Sequence, residues 1–136
     1  MARDLVQKVH RYWDEAWSQG RVEYLSEFYA SSFFENEQSL TPQDFAGHLT
    51  AWRQKFPDFR AEVDRTFLID GGVVSRVWYS GTHRGDFSFL PATGRAVRAS
   101  GLDVFQFNDE GLVVQHWHET DHYELFVQLG ATLGAP

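Results

Sequence analysis

The spacing of apolar residues changes its period near Phe59, and this change constrains the fold more than any other feature. Before Phe59, apolar side chains recur every three to four residues, as they do along one face of a helix. After Phe59 they alternate with polar side chains, as they do in half-buried strands. Helices followed by long antiparallel strands indicate an α+β fold, in which the helices pack on one face of the sheet.

Three helices are predicted before Phe59. The first ends near Gly20, where a glycine cap is typical, and a short second helix follows it. Residues 31–39 alternate weakly and form either a short strand or a loop. The third helix begins at Thr41, a favoured N-cap residue, and ends before Pro57. Its apolar stripe consists of Phe45, Leu49, Trp52 and Phe56.

Two hairpins and a closing helix are predicted after Phe59. The first hairpin turns at Gly71-Gly72, and the second turns at the sequence "NDEG", residues 108–111. The closing helix has Asp121 as its candidate N-cap and Gly130 as its candidate C-cap. Residues 131–136 are predicted to be a frayed tail. The whole chain, residues 1–136, is short enough to form a single domain.

Composition excludes several classes of partner. With 12 basic and 19 acidic residues, the net charge of −7 argues against nucleic acid and anionic membranes, because both require a basic surface. The chain has no cysteine, so a metal site would need histidine or carboxylate ligands. It also lacks an apolar run of about 18 residues, and its N-terminus is charged, which together favour a cytoplasmic protein.

Aromatic residues are unusually frequent. Five tryptophans, five tyrosines and twelve phenylalanines make up 16% of the chain. Such a set suits a cavity that binds a flat apolar ligand, and it equally suits a solid core of large side chains. The sequence alone leaves both interpretations open.

The stretch "VVQHWHETDHYE" contains three of the six histidines. Counting back from a turn at residues 109–110, Asp103 lies opposite His116, and Gly101 lies opposite His118. Alternation then places one set of side chains on a common face, apolar near the turn and polar away from it. This set is Asp103, Phe105, Phe107, Leu112, Val114, His116 and His118. A one-residue bulge would reverse part of this assignment.

Three interpretations of these histidines compete. His116 and His118 could bond loops or the opening helices, as polar residues at sheet ends often do. They could perform acid/base chemistry with Asp103, or the three side chains could hold a metal ion. His83 could face the same space or could be a hydrogen-bonded residue at a strand end. The remaining histidines have no predicted role: His10, His48 and His122. Of these, His122 is expected to be exposed.

Several segments resemble the SnoaL-like polyketide cyclases: "FPDFRAEVD", "SGTHRGDF", "LPATGRAVRASGLDVFQFNDEGLVVQHW" and the closing "VQLG". The resemblance covers about residues 20–130. It implies the cone-shaped, nuclear transport factor 2-like α+β fold, with a curved antiparallel sheet, three or four helices, a deep apolar pocket and assembly as a homodimer. Enzymes of this family close a polyketide ring by aldol condensation without cofactor or metal, using one aspartate as general acid/base.

The resemblance also implies site residues, and here the chain departs from the family pattern. The family's catalytic aspartate falls on His118. Asp103 falls where the family has a polar pocket residue, and Phe105 falls where it has a histidine. Glu35 and Asn36 lie near a polar position that lines the family's pocket. The departure at His118 is compatible with a base suited to neutral pH or with a changed reaction.

We therefore expect His118 to be the general base, oriented by Asp103, with His83 and His116 donating to the oxygen that gains charge. The expected ligand is a hydrophobic, carbonyl-bearing, polyketide-like small molecule, bound without a cofactor. A non-catalytic binding module and a metal-dependent enzyme are the alternatives. The residues expected to contact the ligand are Tyr12, Trp13, Glu35, Asn36, Trp52, Phe56, Tyr79 and Phe105.

Overall fold

A computed structural model describes residues 2–131 of the chain. The tail predicted to fray lies outside the described residues from position 132 onward. The elements in chain order are α1 (Ala2–Arg11), a π-helical segment (Tyr12–Ser18), a 3-10 turn (Val22–Tyr24), α2 (Leu25–Phe28), β1 (Tyr29–Glu35), β2 (Gln38–Leu40), α3 (Pro42–Lys55), β3 (Arg60–Ile69), β4 (Gly72–Thr82), β5 (Ala96–Phe107), β6 (Val113–Thr120) and α4 (His122–Gln128).

The six strands form one sheet in the order β2-β1-β6-β5-β4-β3. Strands β3 to β6 form an antiparallel meander, whereas β1 pairs with β6 in parallel. Residues 31–39, left open as strand or loop, form most of the hairpin β1–β2, which turns at Asn36 with a positive φ of 51°. The alternation of this segment is weak because only two of the seven β1 residues are buried, Tyr29 and Phe33.

The helices pack on one face of this curved sheet. The π-helical segment contacts β3, α1 contacts β3 and β4, α3 contacts β1, and α4 contacts β5. The described residues thus form six strands and four α-helices in the predicted α+β arrangement, which confirms the fold class.

The predicted helix caps are present. The Thr41 side chain accepts a hydrogen bond from the backbone N–H of Asp44, and the Asp44 carboxylate accepts one from the backbone N–H of Thr41. Asp121 accepts a hydrogen bond from the backbone N–H of Glu124 at 3.0 Å. Gly130 follows α4 with a φ of 78°, which glycine adopts more readily than other residues.

The register between β5 and β6 differs from the predicted one. Asp103 pairs with His118 rather than with His116. Because this shift is two residues, the alternation is preserved and both histidines keep the predicted face. A bulge near the turn leaves Val114 without a partner, so Val113 is buried and Val114 is exposed. The prediction for Val114 was wrong for this reason.

Most of the aromatic residues form a solid core between helices and sheet. The Tyr12 ring stacks on Phe28 at 4.4 Å between centroids and meets Phe105 edge-on at 5.3 Å. Phe56 packs against Trp52 at 5.0 Å. A smaller group of aromatic rings borders open space next to the histidines. Both interpretations of the aromatic content therefore hold in part.

Candidate active site

Asp103 on β5 lies at the centre of the site and is fully buried. Its Oδ2 accepts hydrogen bonds from His116 Nε2 at 2.5 Å and from His118 Nδ1 at 2.9 Å. Its Oδ1 accepts a third hydrogen bond from the Tyr79 hydroxyl at 3.1 Å. Neighbouring strands supply all three donors, because β4 and β6 flank β5 in the sheet.

These hydrogen bonds keep Asp103 ionised. Burial by itself would raise the pKa of the carboxyl group, but the hydrogen bonds and charges of His116 and His118 outweigh it and hold that pKa below its usual value. An ionised carboxylate only accepts hydrogen bonds, so both imidazoles must present an N–H to it. The carboxylate therefore fixes which nitrogen of each ring carries a proton.

Asp103 orients the His118 ring on β6 and raises its basicity. Burial lowers the pKa of its imidazole, but the hydrogen bond and the charge of Asp103, with smaller contributions from Glu35 and Glu119, raise that pKa above its usual value. Because Nδ1 donates to Asp103, the lone pair of the neutral ring is on Nε2. Nε2 lies 2.8 Å from the Thr120 hydroxyl, and 32% of the side chain is exposed.

His116 is committed on both ring nitrogens. Nε2 donates to Asp103, and Nδ1 lies 2.9 Å from the Tyr29 hydroxyl, which in turn hydrogen-bonds the Tyr12 hydroxyl at 2.8 Å. Burial holds the pKa of both tyrosines well above the ordinary value, so their hydroxyls stay protonated. The predicted role of His116 as a donor to a ligand oxygen is not supported, because a ligand would have to displace one of these partners.

Two adjoining cavities border His118, with volumes of about 80 Å³ and about 210 Å³. They are modest beside the roughly 300–1,000 Å³ typical of small-molecule sites. The smaller is lined by Trp13, Trp17, Trp52, Phe59, Tyr79, His118, Thr120 and His122. The larger is lined by Tyr12, Trp13, Trp17, Glu35, Phe45, His48, Trp52, Asp103, His116, His118 and His122.

Five of the eight residues expected to contact a ligand line one or both cavities: Tyr12, Trp13, Glu35, Trp52 and Tyr79. The other three do not. Phe56 and Phe105 are buried in the core. Asn36 braces β6 instead, since its Oδ1 accepts a hydrogen bond from the backbone N–H of His118 at 3.0 Å.

His83 does not join the other candidate residues. It is fully buried, and its ring packs against Phe56 and Phe87 at centroid distances of 5.6 and 6.4 Å. Its Nδ1 accepts a hydrogen bond from the backbone N–H of Thr93 at 3.2 Å. The expectation that His83 faces the same space as Asp103 and His118 is therefore corrected. It belongs to the packing of the strand end and lines neither cavity.

Sequence reasoning missed several lining residues. Thr120 could have been found, because it lies two residues after His118 on the same strand face. Trp17 could also have been found, because it lies four residues after Trp13 and helical spacing places both on one face. His122 is exposed, as predicted, yet it lines both cavities, and burial together with the nearby charge of His118 lowers its pKa.

Asp103, His116 and His118 also satisfy the simplest requirement for a metal site. Their potential ligand atoms all lie within 4.8 Å of one another. In this structure, however, the imidazole nitrogens are hydrogen-bonded to the carboxylate oxygen that would share the metal with them. Metal ligation would require these two hydrogen bonds to be replaced by metal–ligand bonds of about 2.0–2.2 Å.

None of the helices in residues 2–131 is both long enough and apolar enough to span a bilayer.

Comparison with known proteins identifies relatives over nearly the whole chain. The sequence profile of the SnoaL-like polyketide cyclase family matches residues 7–129. Among solved structures, TsrD from Streptomyces laurentii is 25% identical, with a TM-score of 0.88 and coverage of 97% of this chain and 99% of that one. No curated protein matches the chain significantly.

Two more distant structures share the fold. A SnoaL-like polyketide cyclase from Agrobacterium tumefaciens is 20% identical, with a TM-score of 0.81, covering 93% of this chain and 98% of that one. AclR from Streptomyces galilaeus is 21% identical, with a TM-score of 0.82, covering 96% and 98% of the two chains. At these identities the likeness supports the architecture, whereas the chemistry must be argued from the side chains.

Proposed function

The chain belongs to the SnoaL-like polyketide cyclase family, and on this premise we propose that it is a cofactor-independent acid/base enzyme. Its reaction would be an intramolecular aldol cyclisation, or a related enolisation or isomerisation, of a hydrophobic carbonyl-bearing molecule of polyketide type. The observation that carries the proposal is the Asp103–His118 pair, which leaves Nε2 of His118 as a base beside an aromatic cavity.

The first step is proton removal from the carbon next to the ligand's carbonyl group. The Thr120 hydroxyl, which lies 2.8 Å from Nε2 of His118, must turn away before Nε2 can take the proton. The electron pair of the broken C–H bond then delocalises onto the carbonyl oxygen to form the enolate. The imidazole becomes an imidazolium, whose charge is stabilised by Asp103 through the 2.9 Å hydrogen bond. The raised pKa of His118 makes it a stronger base than a free imidazole.

The second step returns the same proton. In a cyclisation, the enolate carbon forms a bond to a second carbonyl carbon, and the oxygen of that carbonyl takes the proton from the His118 imidazolium. In an isomerisation, a different carbon takes it. Either way His118 ends as it began, and no oxidant, reductant or metal is consumed.

The walls of the cavities favour an apolar, planar ligand. The indole rings of Trp13, Trp17 and Trp52 line both cavities. Aromatic walls bind flat apolar molecules and exclude water, which would otherwise solvate the enolate. The modest volumes favour a compact ligand with few rings.

The grouping of Asp103, His116 and His118 favours a metal-dependent enzyme as the second candidate. In that case the purified protein would contain a stoichiometric divalent metal, and a chelator would abolish activity. The acid/base proposal predicts full activity after chelation. Measuring metal content and chelator sensitivity on one preparation separates the two candidates.

The test of the proposed function is deuterium exchange. Aromatic ketones such as 1-indanone are incubated with the protein in D₂O, and loss of the α-proton signal is followed by NMR. The wild-type protein is expected to accelerate exchange, and His118→Ala should reduce the acceleration by roughly 10²- to 10⁴-fold, the usual contribution of a general base. His10→Ala, at an exposed position on α1, is the matched control and should exchange like wild type.

Undiminished exchange in His118→Ala would disprove the assignment of the base. Binding of the ketones without any exchange would instead support a non-catalytic binding module of the same fold.

Location in the cytoplasm stays a prediction from the sequence.

A further inference from the structure

The proposed reaction needs a hydrogen-bond donor for the oxygen that gains charge. Of the two histidines predicted for this role, His116 has a partner on each nitrogen, and His83 does not line either cavity. We propose that the indole N–H groups of Trp52 and Trp17 bind the ligand's oxygen, with Trp52 as the main donor. This inference rests on the proposed function for the identity of the ligand. It names a feature that the ligand must carry, a carbonyl or phenolate oxygen on a compact planar ring.

The other buried donors at the cavities already have protein acceptors. The Trp13 indole N–H donates to the Ser75 hydroxyl at 3.1 Å. The Tyr79 hydroxyl donates to Asp103, and both nitrogens of His116 are occupied. A ligand oxygen would have to break one of these hydrogen bonds to use any of them.

Trp52 and Trp17 differ from Trp13 in this respect. The indole nitrogen of each is buried and has no hydrogen-bond partner among the described residues. The Trp17 side chain interacts with the Tyr12 hydroxyl and lowers its pKa, which burial raises more strongly, so Trp52 is the freer donor. Buried indole N–H groups usually have an acceptor, so the unpaired N–H of Trp52, whose ring lines both cavities, calls for a ligand that provides one.

The positions of the two rings suit this role. Trp52 projects from α3 and Trp17 from the π-helical segment, and both pack against Phe59 at centroid distances of 6.0 and 5.6 Å. Both rings line both cavities together with His118, which belongs to the sheet. A planar ligand between helices and sheet would direct its α-carbon towards His118 and its oxygen towards the indoles, whose buried N–H groups would be exposed by a small rotation of the rings.

The inference also explains a contrast in the composition of the cavity wall. A phenylalanine would provide the same apolar surface without an unpaired polar group, as Phe59 does between the two indoles. Tryptophan at position 52 adds a donor that the protein itself leaves unused. The wall is thus built to recognise an oxygen as well as a flat ring.

The test is NMR of the five indole N–H groups in ¹⁵N-labelled protein. The probes are aromatic ketones of one to three rings, each paired with the hydrocarbon that lacks the oxygen, such as 1-indanone and indane. Signals are assigned with Trp→Phe variants. We expect the ketones, and not the hydrocarbons, to shift the Trp52 and Trp17 signals downfield. The ketones should also bind roughly 10-fold more tightly than their hydrocarbons, as one recovered hydrogen bond predicts.

Trp52→Phe should abolish most of this preference for ketones while still binding the hydrocarbons. Trp117→Phe, on the outer face of β6 and 40% exposed in the wild type, is the matched control and should keep the preference. Equal affinity for ketone and hydrocarbon in the wild type, a preference retained in Trp52→Phe, or binding of neither kind of probe would each overturn the inference.

The two proposals fail in distinguishable ways. Ketone-specific indole shifts without α-proton exchange would uphold the oxygen site and refute the catalytic function. His118-dependent exchange without those shifts would uphold the catalytic function and refute the oxygen site.

Discussion

At the scale of single residues, one buried carboxylate gives two histidines different roles. His116 is 1% exposed and has a partner on each nitrogen, so it anchors Asp103 and connects it to Tyr29. His118 has the same carboxylate partner but borders the cavities. Burial and geometry, rather than residue type, thus distinguish the supporting histidine from the candidate base.

Replacing Asp103 by asparagine tests this arrangement. The substitution removes the charge that raises the pKa of His118 and leaves burial, which lowers it. We expect the midpoint of the rate–pH profile to move to lower pH, because the imidazole then loses its proton more easily. The α-proton exchange rate at neutral pH should fall, because the imidazolium formed in the reaction is no longer stabilised.

The control is Asp109→Asn, at an exposed position in the β5–β6 turn, and circular dichroism verifies the fold of both variants. An Asp103→Asn protein whose rate–pH profile keeps the wild-type midpoint would show that this carboxylate does not tune the base.

Sequence could predict that Asp103, His116 and His118 share a face, because alternation along two strands constrains which side chains lie together. It did not predict the register, which places His118 rather than His116 opposite Asp103. Sequence could not predict that both ring nitrogens of His116 have partners, because its second partner, Tyr29, lies 87 residues away in the sequence. The predicted position of His83 was wrong for a similar reason. A side chain at a strand end can face either the cavity or the core, and His83 packs in the core against Phe56 and Phe87.

At the scale of elements, the β5–β6 pair positions the site through its register. The bulge at Val114 lets Val113 fill the core near the turn, while the ladder beyond it keeps Asp103 opposite His118. Alternation predicted the polar end of this hairpin correctly. It failed near the turn because the two flanking valines are equally apolar and give no signal of which one faces inward.

Gly101 on β5 permits the close approach of Tyr79. A Cβ atom at Gly101 would lie 2.7 Å from the Tyr79 ring and 2.9 Å from the backbone oxygen of Glu119. Gly101→Ala should therefore displace Tyr79, weaken its hydrogen bond to Asp103 and lower the free energy of unfolding by about 1–3 kcal/mol. Urea denaturation measures the change.

Gly47, in the middle of α3, is the matched control because a Cβ atom there meets no atom within 4 Å. Gly47→Ala should raise the free energy of unfolding by about 0.5–1 kcal/mol, because alanine is a better helix former than glycine. A Gly101→Ala protein as stable as the wild type would refute the close-packing argument.

At the scale of the whole molecule, the site lies where the helical layer meets the sheet. Strand β6 supplies His118, α3 supplies Trp52 and the π-helical segment supplies Trp17. The change in apolar period at Phe59 predicted where the long strands begin, but it did not predict hairpin β1–β2, which precedes Phe59. The cavities could not be predicted, because they depend on how far the layers stand apart, which no pattern along one segment records.

The homodimer stays a prediction from the sequence, and the outer face of the sheet offers a surface for it. Phe34, Leu102 and Trp117 are 48%, 50% and 40% exposed on this face, opposite the helices. A patch of this kind favours association with a second copy. Analytical ultracentrifugation should show a dimer at micromolar concentration, and Trp117→Lys should shift it towards monomer with an unchanged circular dichroism spectrum. A monomeric wild type would contradict the prediction.

Asp103 is proposed to hold His118 as a base whose Nε2, hydrogen-bonded only to the Thr120 hydroxyl among the described residues, borders the cavity. The most direct measurement is a pH titration of the histidine ¹⁵N NMR signals, assigned with His118→Ala. We predict that the neutral His118 ring carries its proton on Nδ1 and that its pKa lies above 6.5, the ordinary value for histidine. A neutral ring protonated on Nε2, or a pKa below 6.5, would contradict the account.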